Sequence, residues 1–257
     1  MTVWTQPVEH KNILGVEVAD YGEREAIDFV SACIEHGRYQ PVSFLNANNA
    51  NIAWERHDAA DAFAKNVVLS DGIGVDIAAK TLTGSAFRAN LNGTDLIPTL
   101  LREARTPLKV GLFGGKPGVA DSAANVFRTV DDRHAYRVIS HGYVNADDEV
   151  AILKQLRDWQ PDILLVALGV PRQEIWVAQN LDENHCTVPI SVGALFDLVS
   201  GEVRRAPAWV QWIRSEWAYR LAVEPRRLWK RYILGNPIFL WRALHQRLGA
   251  QPPWKGQ

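Results

Sequence analysis

The chain has 257 residues, of which 47% are hydrophobic and 22% charged, and its formal net charge is −1. This composition is that of an ordinary folded protein and argues against disorder, while the length suits one large domain or one domain with an appendage. The two cysteines, Cys33 and Cys186, lie far apart without CxxC spacing, which predicts free thiols in a reducing cytoplasm rather than a disulfide framework.

Charge and tryptophan are distributed unevenly along the chain. Residues 201–257 hold 11 Lys and Arg, 3 Asp and Glu, and six of the ten tryptophans, whereas residues 1–200 hold 17 basic and 26 acidic residues. A basic, Trp-rich end on an acidic body indicates an anionic partner, either a membrane surface or nucleic acid. The N-terminal segment has no signal-peptide pattern, and no run of about 18 apolar residues predicts a spanning helix. We therefore expect a cytoplasmic protein that can lie against a membrane.

Short apolar runs alternate with longer amphipathic segments through the first 200 residues. The predicted strands are Val42–Asn46, Val67–Leu69, Lys109–Phe113, Tyr136–Ser140, Asp162–Leu168 and Pro189–Val192. The predicted helices between them include Glu23–His36, Ala50–Ala64, Gly118–Val130, Asp147–Trp159 and Arg172–Asn180. Strands separated by helices are typical of βαβ units. The sequence thus predicts an α/β fold with a Rossmann-like, mostly parallel sheet and helices on both faces.

The pattern changes at about Ala208, where strand signals end. Trp209, Trp212, Ile213, Trp217, Arg220 and Leu221 recur at helical spacing, and Pro225 and Pro237 are expected to divide this region into three short helices. We therefore predict an α/β domain over residues 1–207 and a basic, Trp-rich helical appendage over residues 208–257.

Ligands of parallel α/β sheets bind beyond the carboxyl ends of the strands, so the loops at that edge are the candidate site. After the first predicted strand, Asn46 and Asn48 offer amides suited to sugar hydroxyls or a base edge, or they simply cap the next helix. After the second strand, Asp71 and Gly72 form either an Asp-Gly turn or an exposed general base beside a flexible backbone.

Three later loops complete this edge. Gly114-Gly115-Lys116 follows a strand as a diphosphate-binding turn does, but it matches neither GxGxxG nor GxxxxGK[ST]. Gly169 precedes a helix whose first turn holds Gln173 and Glu174, which either bond a ligand or suit the helix dipole. The last loop is Gly193–Asp197.

Several motifs of other chemistries are absent from the sequence. No two aspartates stand two apart, so the DxD device that holds a metal on a sugar nucleotide is missing, and the seven histidines form no HxxxH or HExxH set. GxSxG and papain-like cysteine motifs are also missing. We expect neither a metal site nor a cofactor, and neither metal-dependent transfer nor covalent hydrolysis.

The loops, in their order and spacing, resemble the WecG/TagA/CpsF family of bacterial glycosyltransferases over about residues 12 to 245. The body carries the resemblance at Asn46-Ala47, Asp71-Gly72, Gly93-Thr94-Asp95-Leu96, Gly114-Gly115-Lys116-Pro117, Gly142-Tyr143, Gly169, Pro171, Gln173-Glu174, Gly193 and Phe196-Asp197. It continues at Gly201, Arg204-Arg205-Ala206-Pro207, Trp209, Glu216-Trp217, Tyr219-Arg220-Leu221, Pro225 and Arg227.

The resemblance implies an inverting, metal-independent enzyme that takes a UDP-sugar and extends a polyprenyl-diphosphate-linked sugar in surface or exopolysaccharide assembly. It further implies peripheral association with the inner face of the cytoplasmic membrane through the appendage. By this resemblance, Asp71 is the catalytic base. The strand-end loops and the resemblance together predict as substrate-binding residues Asn46, Asn48, Gly72, Asp95, Gly114, Gly115, Lys116, Tyr143, Gly169, Gln173, Glu174, Asp197, Arg220, Arg227 and Lys230. Tyr143, Gln173 and Asp197 are the implied donor-nucleotide contacts, Asn46 belongs to the sugar pocket, and the three C-terminal cations face the diphosphate.

This chain departs from the family pattern at three positions. Phe44 replaces a threonine that faces the donor sugar in many relatives, and Asn90 replaces an arginine three residues before Gly93. Lys230 stands where arginine is usual, which keeps the charge and loses the bidentate fork. With Phe44 in that place, we predict a plain hexose such as glucose, as in the exopolysaccharide branch that includes GumM.

Other classes of function remain open at this stage. A nucleotide-sugar oxidoreductase would need a dinucleotide fingerprint that the sequence lacks, and the acidic body argues against nucleic acid as a partner. A non-catalytic binding protein of the same fold is the third alternative. The basic stretch over residues 204–231 is otherwise a solvated helical face. Tyr232–Leu248 either enters the membrane interface or packs against the body or a second subunit of a homo-oligomer.

Overall fold

The computed structural model describes residues 8–212 and 214–256, so that Ile213 of the predicted appendage lies outside the described residues. The strands are β1 (His10–Ile13), β2 (Val16–Ala19), β3 (Val42–Leu45), β4 (Val67–Ser70), β5 (Lys109–Gly114), β6 (Ala135–Ser140), β7 (Ile163–Ala167) and β8 (Val188–Ser191). They form one sheet in the order β1-β2-β4-β3-β8-β7-β5-β6, in which only the β1–β2 pair is antiparallel. The predicted α/β fold is therefore confirmed.

Helices cover both faces of this sheet. The body helices are α1 (Glu23–Glu35), α2 (Ala47–Glu55), α3 (His57–Ala64), α4 (Ile73–Thr83), α5 (Gly93–Glu103), α6 (Val119–Val130), α7 (Ala146–Trp159), α8 (Arg172–Asn180) and α9 (Leu195–Val199). Alternate strand residues point to opposite faces, as Phe44 packs with α1, α5 and α6 whereas Leu45 packs with α2, α3 and α4. Each face thus has its own hydrophobic core.

The connections open a crevice between β3 and β8. β3 leads into α2 on one face of the sheet, and its neighbour β8 leads into α9 on the other face. Because the two helices leave in opposite directions, the loops after β3 and β8 separate at the carboxyl edge. Ligands of open α/β sheets bind at such a switch point.

The C-terminal helices are α10 (Ala208–Trp212), α11 (Glu216–Val223), α12 (Pro225–Trp229) and α13 (Gly235–Arg247), with a π-helical turn, Lys230–Leu234, joining α12 to α13. Pro225 begins a helix as predicted, but Pro237 lies inside α13 and does not break it, contrary to the sequence prediction. A proline inside a regular helix lacks the N–H for a backbone hydrogen bond, and its ring clashes with the preceding turn. The π-helical turn just before Pro237 is wider and provides room for that ring.

α13 is part of the body's packing. Phe239 and Ala243 are fully buried and share a hydrophobic core with Leu45 and Val75, and the Asn51 amide donates to the Gly235 carbonyl at 2.8 Å. The division at residue 207/208 stays a prediction. Deleting the appendage would nevertheless expose this core, so the truncated body is not expected to fold normally.

Candidate active site

Two cavities open at the carboxyl edge of the sheet and share part of their walls, including Asp71. The first, the polar cleft, encloses about 520 Å³ between the loops after β3, β5, β7 and β8 and the C-terminal helices. The second, the apolar cleft, encloses about 640 Å³ between α4, α11 and α13. The residues common to both walls are Asn46, Asn48, Asp71, Asn92, Glu216, Arg220 and Arg231. A molecule in either cleft therefore lies within reach of Asp71.

Asp71 directly follows β4 and is held by the neighbouring strand. Its backbone N–H donates to the Leu45 carbonyl at 2.9 Å, and the Asn46 side-chain amide donates to Asp71 Oδ2 at 3.2 Å. Burial raises the pKa of this carboxyl above its usual range, an effect that the Asn46 hydrogen bond and the charges of Arg231 and Arg220 oppose. The side chain is neither sealed in the core nor turned from the clefts, and its raised pKa suits a proton acceptor.

Asn46 both caps a helix and lines the site. Its Oδ1 accepts the backbone N–H groups of Asn48 and Asn49, both at 3.1 Å, at the start of α2. The amide nitrogen remains free to donate to Asp71. The capping role and the site role that the sequence left as alternatives are therefore compatible, because they use opposite ends of one amide.

The turn after Asp71 depends on Gly72 and Asn90. Gly72 has φ +93°, a conformation that favours glycine, and its N–H donates to Asn90 Oδ1 at 2.6 Å. Asn90 also lines the apolar cleft. Asn90 thus shapes the backbone beside the carboxylate.

Phe44 forms one wall of the polar cleft close to Asn46. Its ring is buried, and a Cβ atom added at Gly93 would lie 3.0 Å from Phe44 Cε2. The Asn49 amide donates to the Phe44 carbonyl at 2.9 Å, which fixes the backbone behind the ring. The ring is therefore a rigid limit on the width of the cleft.

The glycine-rich loop contributes less backbone to the cleft than expected. Gly115 and Lys116 line the polar cleft, but Gly114 is buried, and a Cβ atom there would lie 2.3 Å from the Ala167 carbonyl oxygen. The Gly115 N–H donates to that same carbonyl at 2.9 Å. This N–H is therefore not free to meet an anion, and Lys116 is the group of this loop that can.

The loops after β6, β7 and β8 complete the polar cleft. Tyr143, Gly169 and Asp197 line it, and the Tyr143 side chain is 68% exposed. Burial raises the pKa of Asp197, against the effects of Lys116 and Arg227. Gln173 is buried and also lines the cleft, whereas Glu174 lies behind it in the core.

The C-terminal cations divide between cleft and solvent. Arg220 and Arg227 line the polar cleft as the sequence predicts, but Lys230 is exposed outside both clefts, with its ammonium 5.7 Å from the centre of the Trp229 ring. Arg231, which sequence reasoning missed, lines both clefts, and burial lowers its pKa. The π-helical turn sets which neighbour faces inward, and no sequence periodicity signals that turn.

Glu216, Arg204 and Arg205 also line the polar cleft and were not predicted as site residues. Arg205 pairs with Asp95, a predicted site residue on the apolar cleft, and its Nε lies 3.8 Å from Glu216 Oε1. In the sequence, these residues were noted only as part of the family resemblance. They join the start of α11 to the start of α5 across the mouth of the site.

Comparisons with known proteins show which family the sequence matches. The model of the family described as "Glycosyl transferase WecG/TagA/CpsF family" matches residues 11–253. A protein of Bacillus subtilis (strain 168) is 30% identical over 234 residues, covering 90% of this chain and 86% of the relative. One of Bacillus spizizenii is 33% identical over 223 residues, covering 84% of each, and one of Staphylococcus aureus is 27% identical over 180 residues, covering 68% and 67%. All three are named N-acetylglucosaminyldiphosphoundecaprenol N-acetyl-beta-D-mannosaminyltransferase.

Proposed function

The chain belongs to the WecG/TagA/CpsF family of glycosyltransferases, and we propose that it transfers a sugar, with inversion, from a UDP-sugar to a polyprenyl-diphosphate-linked saccharide in surface or exopolysaccharide assembly. The observation that carries this proposal is the meeting of a polar and an apolar cleft at Asp71. A transferase needs two substrates to meet at one reacting centre, and a lipid-linked acceptor needs an apolar path to it.

The polar cleft suits the donor. Lys116, Arg220, Arg227 and Arg231 place positive charge around a cavity large enough for a nucleotide sugar. In residues 8–212 and 214–256, no group of three or more His, Cys, Asp or Glu side chains is placed to hold a metal ion. We assign the stabilisation of the departing diphosphate to these cations.

The proposed reaction is a single displacement at the anomeric carbon of the donor sugar, with the base and the leaving group on opposite faces. Asp71 accepts the proton of the acceptor hydroxyl while that oxygen forms a bond to the anomeric carbon of the donor sugar. The bond from the anomeric carbon to the phosphate oxygen breaks on the opposite face, and its electron pair leaves with UDP. One displacement inverts the anomeric centre, and Asp71 then returns the proton to solvent.

The apolar cleft suits the lipid side of the acceptor. Ile73, Ile77, Trp217, Ile233 and Leu240 line it. These side chains can bury the first isoprene units of the acceptor. In this arrangement the acceptor sugar points toward Asp71.

The outer face of the C-terminal helices suits a membrane surface. No described helix is both long enough and apolar enough to span a bilayer. Trp241 and Leu244 are 59% and 49% exposed, and Arg226, Lys230 and Arg247 lie among these exposed helices. Each basic residue near an anionic leaflet contributes about 1 kcal/mol, so several support reversible binding to the inner face of the cytoplasmic membrane.

Membrane binding is tested with point variants, because truncation would disrupt the core around Phe239. The double variant Trp241→Ser/Leu244→Ser should lose sedimentation with phosphatidylglycerol vesicles. Val150→Ser, which removes a 70% exposed side chain on α7, is the matched control and should sediment like the unmodified protein. Equal sedimentation of all three proteins would contradict the membrane proposal.

The transfer itself is tested by a screen of UDP-sugars against a synthetic polyprenyl-diphosphate saccharide, scored by product mass. We expect one donor to be transferred and the product to carry the inverted linkage. An absorbance scan for a bound nicotinamide tests the oxidoreductase alternative. If the protein bound UDP but no donor sugar reached any polyprenyl-diphosphate acceptor, the proposed function would be wrong.

A further inference from the structure

Glu174 is a fully buried carboxyl in the first turn of α8, immediately behind the wall of the polar cleft. Its Oε1 accepts a hydrogen bond from Gln173 Nε2 at 2.8 Å, and its Oε2 finds no partner among the described residues. A half-satisfied buried carboxyl costs stability, so its presence calls for a reason other than packing.

The neighbouring Gln173 amide is held at both ends. Gln173 Nε2 donates to Glu174, and Gln173 Oε1 accepts the Gly193 N–H at 3.2 Å. When ionised, the Glu174 carboxylate only accepts, and a backbone N–H only donates, so the two partners select the same orientation of the amide. Gln173 lines the cleft, and its second Nε2 hydrogen has no other partner in the described part of the chain. That hydrogen is left for a ligand.

We propose that Glu174 is a positioning residue for donor binding, which fixes the Gln173 amide so that its free N–H meets an acceptor oxygen of the donor nucleotide. Glu174 itself does not touch the ligand. This inference rests on the proposed function, because it takes the polar cleft to hold the UDP part of the donor. In Glu174→Gln the new amide can donate as well as accept, so only the Gly193 bond still selects the orientation of Gln173, and a ligand would meet a mixture of donor and acceptor ends.

The test is a double-mutant cycle on the full chain with Glu174→Gln, Gln173→Ala and their combination. The dissociation constant of UDP is measured by titration calorimetry, and KM and kcat with the UDP-sugar, all at pH 8, where Glu174 is ionised because burial raises its pKa only to about 7. Glu174→Gln is expected to weaken UDP binding and raise KM by roughly 3- to 10-fold, the scale of one hydrogen bond, with kcat unchanged. In the Gln173→Ala background, Glu174→Gln should add no further loss.

Asp20→Asn is the matched control, because Asp20 is a buried carboxylate that pairs with Lys11 at 3.0 Å and lines neither cleft. It should lower the melting temperature and leave UDP binding unchanged. If Glu174→Gln fails to fold, Glu174→Asp, which keeps the charge and withdraws the carboxylate by one methylene, should show the same loss of UDP affinity.

The outcomes separate this inference from the proposed function. An equal loss from Glu174→Gln with and without Gln173 would mean that Glu174 acts independently, and the inference would fail. Weaker UDP binding in Gln173→Ala but not in Glu174→Gln would also overturn it while leaving the donor site intact. If Gln173→Ala binds UDP normally, the assignment of the donor to the polar cleft fails together with the inference.

Discussion

Replacing Asp71 by asparagine isolates the proton-transfer step from the binding of both substrates. Asp71→Asn preserves the shape of the side chain, and the amide oxygen can still accept the hydrogen bond that Asn46 donates at 3.2 Å. The backbone bond to the Leu45 carbonyl is untouched. The variant should therefore fold normally while losing its proton acceptor.

The size of the effect follows from the role of a general base. Such a base contributes about 10²- to 10⁴-fold in rate, which corresponds to about 2.7–5.5 kcal/mol of transition-state stabilisation. Arg220 and Arg231 interact with the Asp71 charge, and its removal leaves both free for phosphate oxygens. We therefore expect kcat to fall by about 10²- to 10⁴-fold without a rise in the KM of the UDP-sugar.

The pH profile separates this role from a merely structural one. Burial raises the pKa of Asp71 above 3.8, and the base works only when deprotonated, so kcat/KM should rise with pH through that raised pKa and then level off. Asp71→Asn should lack this acid limb, and Asp121→Asn, at an exposed site on α6, should keep the normal rate and profile. Transfer is measured by product mass from pH 4.5 to 8. A variant that retained a tenth of the activity, or the same acid limb, would refute the assigned role.

Three further predictions rest on single side chains. Phe44→Thr should widen the polar cleft and raise the rate with N-acetylated donors relative to plain hexose donors by roughly tenfold, and an unchanged ratio would contradict a limiting role of the ring. Arg231→Ala should lower kcat/KM by roughly 10- to 100-fold, whereas Lys230→Ala should have little effect on transfer in detergent solution. A larger loss from Lys230→Ala than from Arg231→Ala would contradict the placement of Arg231 in the cleft and of Lys230 in solvent. Burial raises the pKa of Glu174 from 4.5 to about 7, so the folded state favours the protonated side chain. This contribution to folding stability is complete below pH 4.5 and is lost as pH rises through 7. Urea unfolding at pH 4.5 and pH 8 should therefore show the unmodified protein losing about 3 kcal/mol relative to Glu174→Gln, and an equal difference at both values would contradict this.

The central parallel strands β3, β4, β5, β7 and β8 were predictable because most of their residues are buried and give short apolar runs. The edge strand β6 alternates between buried and exposed residues and was also predicted, and all six predictions are confirmed within one residue at each end. The β1–β2 hairpin was missed because Lys11 interrupts its apolar pattern, although this lysine is buried in an ion pair with Asp20. Its turn places Leu14 at φ +52°, where glycine or asparagine would have been the usual signal. Tertiary pairing, not local pattern, makes this hairpin.

The helical segment predicted over Ala50–Ala64 is two helices, α2 and α3. Arg56 between them is extended, with φ −124° and ψ 115°. No proline or glycine marks this break, so local sequence carried no signal for it. The break at Arg56 and the inward orientation of Arg231 were both missed for the same reason, because both depend on how the helices pack against the body.

The candidate site was predictable at the strand ends and less so behind them. The structure brings Asn46, Asp71, Gln173 and Asp197 into one cleft, and their roles remain predictions. Strand-end loops can be identified from sequence because parallel strands align their carboxyl ends at one edge. Whether a residue at such a loop faces the cleft or the core, as Glu174 does, depends on helix rotation within the packed fold.

The helix that presents Trp241 to the outside also packs against the helices that flank Asp71. α13 packs on both α2 and α4, and the Phe239 ring lies 3.8 Å from where a Cβ atom at Gly74 would stand. α2 begins immediately after Asn46, and α4 immediately after Gly72, on either side of Asp71. With the membrane binding that we propose, a tilt of α13 on the lipid surface would therefore shift the starts of α2 and α4 on both sides of Asp71. The proposed membrane contact and the proposed base share one packed support.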